Sequence, residues 1–229
     1  IMILNAYSLQ MKLKEQMKIY LSEYIGTAFL LMIVVGSGIM GQSLTDNNAL
    51  VLLANTIATG AGLTVLIWMF GNVSGAHFNP AVSMIMYANN ELKAKELGGY
   101  CLFQVSGAIT GTLLANYMFG LDLLQFSTNS RTGINLYFSE MIATFGLLLV
   151  ILRVRTLKFE LIAPAVGLYI TAAYWFTSST SFANPAVTIG RMLTDTFTGI
   201  QPENVFLFVV SQLIGAFLAF SVNKLIEDD

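Results

Sequence analysis

The chain has 229 residues, of which 55% are hydrophobic and only 10% charged, with a formal net charge of −2 and a mean hydropathy of +0.70. A soluble domain carries about 25% charged residues, so this chain lacks the polar surface to meet water on all sides. No basic run points to nucleic acid, and with Cys101 as the single cysteine neither an intrachain disulfide nor a multi-cysteine metal site can form.

Residues 1–18 form a Lys-bearing amphipathic stretch with no apolar h-region or small-residue cleavage site, so a cytoplasmic segment rather than a secretory signal is expected there. About 20 apolar residues cross a bilayer core. Segments 19–40, 49–70, 98–119, 134–154, 161–178 and 204–225 meet that requirement. Two further segments, 79–88 and 184–194, are too short, and each opens on Asn-Pro-Ala-Val: Asn79-Pro80-Ala81-Val82 and Asn184-Pro185-Ala186-Val187. Asn is a good helix N-cap and Pro suits the first helical position, so each tetrapeptide predicts a half-helix entering the membrane from one side.

Loop charge gives an orientation. With both termini cytoplasmic, only Arg131 and Arg191 of the 11 Lys and Arg residues fall outside, as the positive-inside rule requires. The halves also match each other. Ser22-Glu23-Tyr24-Ile25-Gly26-Thr27 answers Ser139-Glu140-Met141-Ile142-Ala143-Thr144, and Gln104-Val105-Ser106-Gly107-Ala108 answers Gln212-Leu213-Ile214-Gly215-Ala216. Gly62-Leu63 precedes Asn79 by the same 17 residues that separate Gly167-Leu168 from Asn184. Three spans per half is an odd number, so the second copy is inverted and the two Asn-Pro-Ala starts meet at the midplane. This makes one channel-like domain over 19–229, with repeats at about 19–119 and 134–225. Gly26, Gly36, Gly38 and Gly41 in the first span, and Gly107 with Gly111 in the third, permit close helix crossings.

Glu23 and Glu140 lie inside spans, where a carboxylate is costly. Each is either a proton-relay acid or a buried acceptor for the N–H groups of a re-entrant loop. His77, the only histidine, either gates the cytoplasmic mouth by protonation or braces the loop before Asn79.

These features together resemble the aquaporin, or major intrinsic protein, family. Ser74-Gly75-Ala76-His77-Phe78-Asn79-Pro80-Ala81-Val82 is similar to the first signature of that family and Asn184-Pro185-Ala186 to the second, and the likeness runs from about residue 18 to 225. It implies an all-α membrane protein: a right-handed bundle of six transmembrane helices and two re-entrant half-helices in an inverted repeat, assembled as a homotetramer with one pore per subunit. Half-helix dipoles then place positive charge at the pore centre, and Asn79 and Asn184 offer amide donors to passing solutes.

One position departs from the family pattern. Most aquaporins carry arginine after the second Asn-Pro-Ala, in the narrowest outer constriction; Val187 stands here. By the same resemblance the other filter walls are Ala61, Ser181 and Tyr174. Counting back from Asn184 would give Ala172 instead of Tyr174. Such a filter is wide, largely apolar and suited to neutral solutes of glycerol size or larger. Arg191 follows Val187 by four residues, on the same helix face about 6 Å further out. It either overhangs the outer vestibule, caps the helix, pairs with Asp195 or snorkels to the headgroups.

The stretch from Ser181 to Ile200, with Tyr169–Phe176 and Val35–Gly41, resembles bacterial aquaporin-like channels associated with arsenic resistance. The implied function is a passive channel in the bacterial inner membrane for small neutral solutes, arsenous acid and organoarsenicals among them. It needs no cofactor or metal, its partners are lipid and solute, and it is not an enzyme. The alternatives are an ordinary water or glycerol channel and a proton-coupled transporter.

Overall fold

The computed structural model describes residues 2–227, and side chains from residue 11 onward apart from that of residue 12, so Lys12 of the charge pattern lies outside the described side chains. Helices α1 (Met2–Leu44), α2 (Asn48–Ser74), α4 (Ala94–Met118), α5 (Ile134–Val154), α6 (Ile162–Phe176) and α8 (Pro202–Glu227) are the long ones. All six are long and apolar enough to cross a membrane, α6 together with the 3-10 turn Phe159–Leu161 that leads into it. The short helices are α3 (Pro80–Ala88) and α7 (Pro185–Arg191), and no strand occurs among the described residues. No element boundary falls at residue 18, because α1 runs unbroken through it.

The helices pack as two copies of one arrangement. α1 lies against α4 and α2 in the first half, and α5 against α8 and α6 in the second. Contacts between α2 and α6, and between α3 and α7, join the halves. The expected glycines make the crossings. A side chain on Gly107 would strike the Tyr24 carbonyl, and one on Gly215 the carbonyl of Met141, the matching residue of the second repeat. The α1–α4 and α5–α8 crossings therefore bring backbone against backbone, which only small residues allow.

α7 is shorter than the 184–194 expected for it. The carbonyls at and just beyond its end are taken by α4 and the surrounding loops: Ile200 N donates to Arg191 O (3.3 Å), Ser127 N to Met192 O (3.0 Å) and Asn116 Nδ2 to Leu193 O (3.0 Å). With those acceptors engaged, the chain leaves the helix after Arg191.

The equal spacing of Gly62-Leu63 and Gly167-Leu168 is a coincidence of sequence. Leu63 is buried, whereas Leu168 is 71% exposed. The glycines that meet are Gly60 and Gly167, each facing the carbonyl of the other across the α2–α6 crossing. The register of the first half is thus displaced by two residues from the one the sequence repeat suggests, with consequences for the filter.

Candidate functional site

Asn79 and Asn184 both sit in extended backbone, with φ of −154° and −159°, and cap the helices that follow. Asn79 Oδ1 accepts from Ala81 N (2.9 Å), and Asn184 Oδ1 from Ala186 N (2.9 Å) and Val187 N (3.3 Å). Pro80 and Pro185 occupy the first helical position, where no N–H bond is lost. Their amide nitrogens cross over. Asn79 Nδ2 donates to Ala183 O (2.8 Å) and Asn184 Nδ2 to Phe78 O (2.8 Å), so each cap holds the residue preceding the other. One hydrogen of each NH2 group is used in this way, which leaves the second as a donor in the cavity wall.

The loops feeding these caps share an uncommon backbone. Gly75, Ala76 and Phe78 have φ of +83°, +50° and +48°, and their counterparts Thr180, Ser181 and Ala183 have +62°, +50° and +48°. Non-glycine residues held there cost of order 1 kcal/mol or more each. Glu23 and Glu140 supply the restraint. Glu23 accepts from His77 N (3.0 Å), Phe78 N (2.7 Å), Ser74 Oγ (2.6 Å) and Gln104 Nε2 (2.8 Å). Glu140 accepts from Phe182 N (2.8 Å), Ala183 N (2.9 Å) and Gln212 Nε2 (2.6 Å). Both carboxylates are fully buried and engaged on both oxygens. His77 places its Nδ1 3.0 Å from Ser83 Oγ and its ring 4.8 Å from that of Tyr100, and also borders the cavity.

A cavity of about 500 Å³ runs between the halves, bordered by Glu91, Arg155 and Phe159 at the end where α1 starts and by Tyr174, Ser181 and Arg191 at the other. One wall is apolar, with Leu30, Val34, Leu63, Leu147 and Val166. The facing strip is the re-entrant backbone, and the carbonyls of Gly75, Ala76, His77, Ser181 and Phe182 accept no hydrogen bond within the described protein. Carbonyls left unpaired along a cavity wall need water or a solute as donor. A solute that donates hydroxyls to this strip and accepts from the two Asn amides fits the wall.

At the end away from Glu91 and Arg155, Tyr174 (3% exposed), Ser181 and Val187 line the cavity, and Ala172 is exposed on the outside of α6. Ser181 Oγ has no partner among the described residues, and Tyr174 OH donates to Thr59 Oγ1 (3.3 Å). Ala61 requires correction. It is exposed, and the residues of α2 that border the cavity are Thr59, Leu63 and Ile67, four apart. Ala61 is two residues off that face, about 200° around the helix. The wrong glycine of the repeat accounts for the error.

Arg191 neither pairs with Asp195 nor snorkels to the headgroups, and it borders the cavity. Asp195 accepts from Thr128 N and Oγ1 (2.8 and 2.9 Å), while Arg191 is 2% exposed, donates through Nε to Thr198 O and lies 3.3 Å from the centre of the Phe182 ring. The Arg131 guanidinium lies 5.0 Å from the same ring and donates to the carbonyls of Gly199 (2.8 Å), Phe197 (3.3 Å) and Ser179 (3.5 Å). Burial pulls the pKa of Arg131 below its ordinary value, an effect partly opposed by Glu140. Thr59, Phe182 and Arg131 were not among the residues expected from sequence. Only the four-residue spacing of Thr59 with Leu63 and Ile67 offered a signal.

The sequence matches the Major intrinsic protein family over residues 10–158 and 153–228. The chain belongs to the major intrinsic protein family. It is similar to the aquaglyceroporin AqpS of Rhizobium meliloti (strain 1021), with 50% identity over 203 residues covering 89% of this chain and 87% of that protein. Glycerol uptake facilitator protein-like 6 of Lactiplantibacillus plantarum is 29% identical across 89% of this chain and 95% of its own. The fold matches the X-ray structure of the aquaglyceroporin from Plasmodium falciparum with a TM-score of 0.75 and 22% identity, covering 92% of this chain and 97% of that one. As a major intrinsic protein the chain is a multi-pass membrane channel for small neutral solutes, not an enzyme.

Proposed function

We propose that this protein is a passive pore of the aquaglyceroporin type, conducting neutral polyhydroxy solutes of glycerol size or larger, arsenous acid and organoarsenicals among them. It works as a homotetramer in a bacterial inner membrane with both termini cytoplasmic. The observation that carries the reading is Val187 at the outer end of the cavity: an apolar, medium-sized side chain facing Thr59, Tyr174 and Ser181. Hydroxyls on one flank of a solute suit the carbonyl strip and the three hydroxyl-bearing side chains, and its carbon or metalloid skeleton suits the apolar wall. The 50% identical relative is named an aquaglyceroporin, which supports the same solute class. The metalloid substrate rests on the resemblance around the second Asn-Pro-Ala.

Stopped-flow light scattering of proteoliposomes tests this, with water, glycerol and arsenous acid as solutes. Wild type is expected to pass all three without saturation or dependence on a pH gradient. Val187→Arg introduces bulk and charge into the wall and cuts glycerol and arsenous acid more than water. Solute ratios unchanged by that substitution would refute the assignment of the filter. Native mass spectrometry of the detergent-solubilised protein reads the expected tetramer.

A further inference from the structure

We propose that this channel divides its filter between two residues one helical turn apart, Val187 setting the width and Arg191 setting the charge. The inference rests on the pore reading above. Among the residues bordering the cavity, Glu91 and Arg155 form an ion pair at the mouth beside the start of α1 (2.8 Å), and Arg191 is the one other formally charged residue. From that mouth to the far end, therefore, a permeating ion meets a single fixed charge in the wall, and it is positive.

The geometry keeps that charge in place and leaves it without an ion-pair partner among the described residues. Nε is tied to Thr198 O, and the guanidinium plane is seated on Phe182, a stacking that holds a desolvated cation well. The terminal nitrogens Nη1 and Nη2 make no hydrogen bond to the protein among the described residues, although the side chain is almost wholly buried and borders the cavity. Five donors on a planar fork, with the outer ones unbonded in a side chain that borders the lumen, can take a solute oxygen in passing.

No carboxylate forms an ion pair with Arg191 among the described residues. Asp195 is occupied by Thr128, and both oxygens of Glu140 are covered by Phe182 N, Ala183 N and Gln212. Arg131 adds a second guanidinium over the same ring. Buried in the wall, such charges act more strongly than in bulk water and are screened less by salt than exposed ones. Cations are turned back, while the apolar Val187 leaves the lumen free of a protruding side chain. A wide hole can in this way stay cation-tight.

Proteoliposomes loaded with a potassium-sensitive dye, assayed beside glycerol flux, test the division. Arg191→Leu is expected to raise the ratio of K⁺ to glycerol flux about tenfold or more, and Arg191→Lys to hold it at the wild-type value. The exchange Val187→Arg/Arg191→Val, which returns the charge but fills the lumen, restores cation exclusion and lowers glycerol flux. A glycerol-conducting Arg191→Leu protein with an unchanged ratio would overturn the proposal. Should Arg191→Leu not fold, a leaky Arg191→Lys or a leaky exchange variant would overturn it equally. Wild type that is tight to K⁺ and passes no glycerol would overturn the pore reading beneath it.

Discussion

Phenylalanine introduced at 59 or at 61 distinguishes two registers of one helix. Thr59 borders the cavity and meets Tyr174, whereas Ala61 faces away. Thr59→Phe should cut glycerol flux by about tenfold or more by filling the lumen, and Ala61→Phe should leave it within about twofold. Glu140→Gln probes the loop restraint. One amide oxygen cannot serve three donors, and the new NH2 would face backbone N–H groups, at a cost of about 2–4 kcal/mol. A lower thermal midpoint in detergent, with flux falling in proportion to folded protein, is the expected result. A coupling acid would instead lose a pH-gradient dependence at unchanged stability. The caps at Asn79 and Asn184 were legible because a cap is a local affair of Asn, Pro and the next two N–H groups. The left-handed backbone at Ala76, Phe78, Ser181 and Ala183 was not, because those residue types give no hint of it. It is imposed by carboxylates more than 40 residues away in sequence.

At the scale of elements, hydropathy located all six spans and the Asn-Pro pairs located both half-helices, since each signal is contained within its own segment. Pairing between segments was harder to see. Two glycines two residues apart in α2 are equivalent as letters, and only the α6 backbone against Gly60 decides between them. The end of α7 is likewise decided by Asn116, Ser127 and Ile200, none of them in the helix. Helix crossings yield a direct test. Gly111→Leu in α4 drives a side chain into the Ala28 carbonyl, while Gly98→Leu, about three and a half turns earlier, places its Cβ where no atom lies within 4 Å. The first should lower stability by about 1–3 kcal/mol or more, or abolish the monodisperse peak in size-exclusion chromatography. The second should leave melting temperature and elution unchanged.

For the molecule as a whole, the single crossing made by α5 puts the α4–α5 connection and the α5–α6 connection on opposite sides of the membrane. In a Cys101→Ser background, Leu157→Cys and Thr132→Cys, both at exposed positions, should react with a membrane-impermeant maleimide from opposite faces. In intact cells only the Thr132→Cys protein should be labelled, and the reverse pattern would invert the proposed orientation. The crossed amides of Asn79 and Asn184 have a consequence for ancestry. The exchange is reciprocal, each partner giving to the other what it receives, as at the interface of a two-fold dimer. A gene encoding only half of this chain, and inserted into the membrane both ways up, would already have possessed the clasp. Duplication and fusion then had no new contact to invent at the pore centre, and had only to fix one copy in each direction. Val82 and Val187 still match across the halves, whereas Arg191 stands where the first half has Met86, so the two mouths now differ in charge.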